Sequence, residues 1–137
     1  MSGKVFFDTN ILIYAVTEDD PRSYQAEELL EAGGVINVQV LNEFVAVASR
    51  KLRMPWPDVR EAREAFLEIC PDPSPVTLEL HRAASQIAEQ DGCGIHDALI
   101  VAAALGERCT VLYSEDFQDG RIFEGKLEVR NPFRARK

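Results

Sequence analysis

Three short runs of β-branched and aromatic residues, VFF at 5–7, VINV at 35–38 and TVLY at 110–113, alternate with longer stretches of helical periodicity. Strands that alternate with helices are the signature of a parallel sheet covered on both faces. This pattern predicts an α/β chain, a Rossmann-like three-layer α/β/α arrangement around a short-stranded central parallel sheet. A last strand is expected at LEV, 127–129. Between the strands, NILIYAV at 10–16 predicts a short helix, and 21–33 predicts a helix opened by Pro21 and stopped by a glycine pair. Residues 39–52 carry apolar side chains at 40, 41, 44, 45, 48 and 52, a helical spacing. Residues 57–70 predict another proline-opened helix, and PDPSPV at 71–76 a rigid connector leading to an edge strand. Thr77 and Gly92 frame a helix as N-cap and stop, and the almost wholly apolar IHDALIVAAALGE at 95–107 predicts a buried one.

At 137 residues the expectation is one domain spanning 1–137, with a basic C-terminal tail at about 131–137. No apolar run is long enough to span a bilayer, so no membrane contact is expected. The opening MSGKVFFDTN lacks the pattern of a signal peptide, which makes the cytoplasm the expected location. Cys70, Cys93 and Cys109 form no Cys-x-x-Cys pair and read as reduced packing residues. The net charge of −8 argues against general polyanion binding. The charge is uneven, however. Arg50 to Arg63 holds five basic residues against two acids, a local +3, and Lys126 to Lys137 five against one, a local +4. A nucleic acid could meet a positive surface there.

The acids fall in a pattern. In a parallel sheet the C-terminal ends of strands and the N-terminal ends of the crossover helices share one edge, where open α/β sheets bind ligands. Asp8 directly follows the first strand, and Glu43 sits early in the helix after VINV. Asp97 lies in the first turn of the buried helix, and Glu115 and Asp116 follow TVLY. All are expected at that edge. Each alone is equally a turn, capping or solvated acid; their common placement is what makes the case for function. Helix N-termini are expected to offset part of the cost for Asp97 and Glu43. They cannot relieve mutual repulsion, so crowded carboxylates must either take up protons or hold a cation. Hard oxygen donors favour Mg²⁺ or Mn²⁺, ions that orient phosphates, activate water and stabilise a leaving oxygen. That is the chemistry of phosphodiester hydrolysis.

At FFDTNILIYA, VQVLNEF, GIHDALIVAAA and LYSEDFQDG, in this order and spacing, the chain resembles the PIN-domain proteins, specifically the VapC-type toxin ribonucleases of bacterial toxin–antitoxin pairs. The likeness runs from about Lys4 to Asn131. It implies a Mg²⁺- or Mn²⁺-dependent endoribonuclease, a homodimer, and inhibition by a cognate antitoxin. It assigns Asp8, Glu43, Asp97 and Asp116 to metal binding and catalysis, with Asn10 and Ser114 as supporting polar residues. Asn37 stands where the family often has serine or threonine, and Asp119 where many relatives place another polar residue, often histidine. Arg50, Lys51 and Arg53 are candidate RNA-phosphate contacts, together with Arg60, Arg63, Arg130, Arg134, Arg136 and Lys137. His96, beside Asp97, reads as a surface or packing residue, and His81 carries no signal. Ser114 is not a serine-hydrolase nucleophile, since no Gly-x-Ser-x-Gly elbow is present. A dehalogenase-type phosphatase would need an acid at Asn10, and a receiver domain a phosphoacceptor Asp at Asn37; both fit badly. The alternative in a different class is a non-catalytic PIN-like module that binds RNA or protein.

Overall fold

The computed structural model describes residues 3–133. The expected basic tail is therefore described only as far as Phe133, and Arg134, Arg136 and Lys137 lie outside the described residues. In chain order the elements are β1 (Lys4–Phe7), α1 (Thr9–Val16), α2 (Arg22–Glu31), α3 (Val38–Arg50), α4 (Trp56–Ile69), α5 (Leu78–Asp91), α6 (Ile95–Gly106), β2 (Cys109–Tyr113), β3 (Ile122–Phe123) and β4 (Leu127–Arg130). The strand order is β1-β2-β4-β3. β1 pairs in parallel with β2, placing Phe6 opposite Leu112 and Phe7 opposite Tyr113. β2 pairs in parallel with β4. The whole helical complement thus lies in the single crossover between β1 and β2.

The α/β expectation holds. Helix α1 packs on both α2 and α3, α3 packs on α4, α5 packs on α6, and α6 packs on β2. Phe6, Phe7, Leu112, Leu127 and Val129 are buried in the sheet. Helix α3 buries Val40, Phe44 and Ala48, one residue per turn, and Phe44 meets Phe66 of α4 edge-on with ring centroids 5.0 Å apart. Burying one such ring contributes about 1.5–3 kcal/mol. Helix α6 buries an unbroken run from Ala98 to Ala104, as its apolar sequence requires. Among the described residues no helix is long and apolar enough to cross a membrane.

Three local expectations change. VINV does not form a strand of its own. Val35 makes one parallel bridge to Phe6, and α3 begins at Val38 because the Asn37 side chain accepts from the Val40 N–H at 2.9 Å. Gly34 permits even that bridge, since a Cβ there would run into the Phe7 ring and Val5. The strand expected after PDPSPV does not form, because Thr77 caps α5 directly; a single bridge, Ser74 to Asn37, lies within the connector itself. The third difference is β3, a two-residue strand antiparallel to β4, which makes the sheet mixed at that edge. Its tight turn uses Glu124 and Gly125, at φ 52° and 66°. A run as short as IF carries no readable period.

Candidate active site

Asp8 is the first residue past β1 and the N-cap of α1. One carboxylate oxygen accepts from the Thr9 backbone N–H at 2.7 Å and the other from the Ser114 hydroxyl at 2.7 Å. Only 3% of the residue is exposed. Burial is the main reason its carboxyl is pushed up to about 7. The bonds from Ser114 and Thr9 pull the other way, and the charges of Asp116 and Glu43 add to the rise.

Ser114 connects the site. It directly follows β2, is fully buried, and its own N–H reaches the Arg130 carbonyl on β4. Besides donating to Asp8, its Oγ accepts from the Asp116 backbone N–H at 3.0 Å and from Asn10 Nδ2 at 3.4 Å. Asn10 Nδ2 also donates to Asp116 Oδ2 at 3.2 Å, while Asn10 Oδ1 is buried without a donor among the described residues. Glu43 reaches the site from α3. Its two oxygens accept from the Thr9 hydroxyl at 2.8 Å and from Gln39 Nε2 at 3.2 Å. It sits beyond the first turn of α3, so the helix N-terminus does not stabilise it as expected. Asp97 does lie in the first turn of α6.

The electrostatics tie these acids together. The Asp97 carboxyl is raised, chiefly by partial burial, then by Asp116 and Glu43, with exposed His96 acting in the opposite sense. Asp116 is raised by burial and by Glu115 and Glu43, against the Asn10 bond. Asp8, Asp97 and Asp116 therefore all feel Glu43, and Asp8 and Asp97 both feel Asp116. Four carboxylates from β1, α3, α6 and the loop after β2 do share one rim. They do not form a closed cage. Among the described residues no three Asp, Glu, His or Cys side chains stand close enough together to hold an ion as they are oriented. By donor type the set fits a hard divalent cation: it is all carboxylate oxygen, it is repulsive without a counter-charge, and beside it lies an acceptor with no donor, Asn10 Oδ1.

Beside the rim opens a cleft of about 660 Å³, lined by Asn10, Glu43 and Asp116 at its acidic end and by Ile13, Tyr14, Val47 and Leu52 along its walls. Lys51 and Arg22 also line it. Of the expected RNA contacts, Lys51 thus lines the same cleft as Glu43 and Asp116. Arg50 and Arg53 are exposed at and beyond the end of α3 but do not line this cleft. Arg63 and Arg130 are engaged with Glu64 and Glu128. Asp119 accepts from the Asn131 N–H at 2.8 Å, which ties the loop after β2 to the end of β4.

Sequence reasoning passed over Thr9 and Gln39, which hold Glu43, and over Tyr14, Asp20 and Arg22. Gln39 and Glu43 are four apart on one helix, a spacing that places two side chains on one face and was there to be read. Nothing local connects Tyr14 to Glu115, whose contact spans about a hundred residues.

A family model for the PIN domain matches residues 5–119. No curated protein sequence matches the chain. Three solved structures share the fold, each at 20% identity. A toxin–antitoxin complex from Klebsiella pneumoniae superposes with a TM-score of 0.72 over 96% of this chain and 100% of that one. VapBC2 from Rickettsia felis, bound to a DNA fragment from its promoter, gives 0.65 over 93% and 98%. Mycobacterium tuberculosis VapC20, described as a Sarcin-Ricin loop cleaving toxin, gives 0.68 over 84% and 92%.

Proposed function

The chain belongs to the PIN-domain family, and from that premise we propose that it is a Mg²⁺- or Mn²⁺-dependent endoribonuclease, the VapC-type toxin of a toxin–antitoxin pair. The observation that carries this reading is the convergence of acids on one rim, where the Glu43 charge acts on Asp8, Asp97 and Asp116 and the Asp116 charge acts on Asp8 and Asp97. In this reading those four carboxylates hold the ion. A divalent cation there supplies charge neutralisation at a phosphodiester and a more acidic water.

The rest falls to the chain's own groups. Ser114 and the Thr9 N–H fix Asp8, the Thr9 hydroxyl and Gln39 fix Glu43, and Asn10 holds Asp116. Partners of this kind orient the groups that bind a metal and are costly to remove. No side chain has to become a covalent nucleophile, since the Ser114 hydroxyl is buried and committed to Asp8. Lys51, at the cleft, is the basic residue best placed to meet an RNA phosphate, with Arg50 just before it at the end of α3 and Arg53 just beyond.

That one similar structure is a toxin–antitoxin complex and another a Sarcin-Ricin loop cleaving toxin supports an antitoxin protein as partner and RNA as substrate. A homodimer and a cytoplasmic location complete the reading. The test is cleavage of RNA by the purified chain in Mg²⁺ or Mn²⁺, with and without EDTA, beside Asp97→Asn. Loss of cleavage in both EDTA and the variant is expected; undiminished cleavage in either removes the metal-dependent mechanism.

The second reading, a PIN-like module that binds RNA or protein without cutting, draws on the absence of a closed three-ligand cluster among the described residues. It predicts RNA or partner binding that EDTA leaves unchanged, and no Mn²⁺ uptake at the rim.

A further inference from the structure

One polar cluster lies beside the acids rather than among them. The Tyr14 hydroxyl donates to Glu115 Oε2 at 2.6 Å and accepts from an Arg22 guanidinium N–H at 2.8 Å. Arg22 is itself gripped by Asp20, Nε to Oδ1 at 2.9 Å and a terminal N–H to Oδ2 at 2.7 Å. Its guanidinium lies over the Tyr14 ring, 4.0 Å from the centroid, and Phe133 meets that ring edge-on at 4.7 Å. The phenol is therefore fixed in position by a cation over its face, a ring against its edge and hydrogen bonds at its tip.

What it fixes in turn is the loop after β2. Glu115 precedes Asp116. On the inner side that loop is tied by Ser114 and Asn10 to Asp116. A second tie runs from Glu115 to Tyr14, and a third, farther along, from Asp119 to the Asn131 N–H. The tie to Tyr14 also gives the Glu115 charge a partner other than the acidic rim, so the two neighbouring carboxylates are directed to different partners.

We propose that Tyr14, braced by Arg22, is a positioning residue for the reaction, which through Glu115 sets the segment carrying Asp116 in place before any cation binds. The inference rests on reading Asp116 as an ion-holding carboxylate. Tyr14→Phe removes the hydroxyl and keeps the ring with its contacts to Arg22 and Phe133. The expected result is about tenfold weaker Mn²⁺ binding by calorimetric titration. Amide exchange at residues 114–119 of the metal-free protein should quicken, with an unchanged unfolding midpoint. In a Glu115→Ala background Tyr14→Phe should change Mn²⁺ affinity no further, because the link is already cut.

Wild-type affinity and exchange in Tyr14→Phe would overturn the proposal, as would an equal loss with Glu115 absent. Glu115→Gln keeps an acceptor for the phenol and should retain the slow exchange that Glu115→Ala loses; identical exchange in the two overturns the tie from the other side. Asp116→Asn separates this inference from the reading beneath it. If Asp116→Asn binds Mn²⁺ as the wild type does, both fall. If it binds weakly while Tyr14→Phe binds normally, only the positioning role fails.

Discussion

Asp8→Asn should make the metal-free protein more stable while it abolishes activity. The unfolded chain releases the Asp8 proton near the ordinary value of 3.8, and the folded protein holds it to about 7. A carboxyl raised in this way binds more protons folded than unfolded across that interval, so stability falls as pH rises. Its contribution is whole below about pH 4 and is lost as pH climbs through 7. At about 1.4 kcal/mol per pH unit, the interval corresponds to about 4 kcal/mol. Asparagine carries no charge to bury, but it leaves the Ser114 hydroxyl without its carboxylate acceptor, a loss of about 1 kcal/mol. The net gain is about 3 kcal/mol at pH 8, or roughly 10 °C in midpoint for a chain of this length. Near pH 4 the variant should be equal or slightly less stable. Urea unfolding of both proteins in EDTA, at intervals between pH 4 and 8, reads this directly. Parallel stability curves would refute the reasoning, since they would mean that Asp8 bears no charge penalty in the fold. Saturating Mg²⁺ should then reverse the order, because only the wild type gains: a thousandfold excess over Kd is worth about 4.1 kcal/mol, more than the variant's advantage.

Other expectations follow from the same geometry. Ser114→Ala removes a bond that lowers the Asp8 carboxyl, so its midpoint should move above 7 when followed by carboxyl NMR, and stability at pH 8 should fall by about 1–3 kcal/mol. Gly34→Ala drives a methyl into the Phe7 ring, and thermal unfolding should show a loss of about 1–3 kcal/mol or more. Phe44→Ala empties the contact between α3 and α4, with an expected loss of about 3–5 kcal/mol in the same assay. Lys51→Ala should weaken RNA binding with little dependence on sequence and flatten its salt dependence by about one phosphate contact, as read by fluorescence anisotropy across a salt series.

The helices were legible because each carries a signal within its own length. Thr77 and Gly92 bracket α5 as a cap and a left-handed stop, and the spacing of Val40, Phe44 and Ala48 marks the inward face of α3. The short strands were less legible. VINV has the composition of a strand, but Asn37 caps α3 and takes its last residue into the helix, and the IF strand is too brief to show alternation. At the site, the placement of Asp8, Asp97 and Asp116 followed from parallel topology alone, since strand ends and helix starts must meet. What holds those acids was less readable. Thr9 to Glu43, Ser114 to Asp8 and Tyr14 to Glu115 are contacts between distant segments, set by tertiary packing that no local pattern encodes.

The pairing of β1 with β2 joins residues 4–7 to residues 109–113, with every helix in between. Ser114, which grips Asp8, is therefore translated more than a hundred residues after it. A chain still emerging from the ribosome carries Asp8 without its anchor, and the rim assembles only after β2 and Ser114 have been made. Loop closure over such a span is slow and comes late in folding. For an enzyme whose proposed substrate is RNA, this order delays activity until the segment carrying Ser114 has been made and has folded against Asp8.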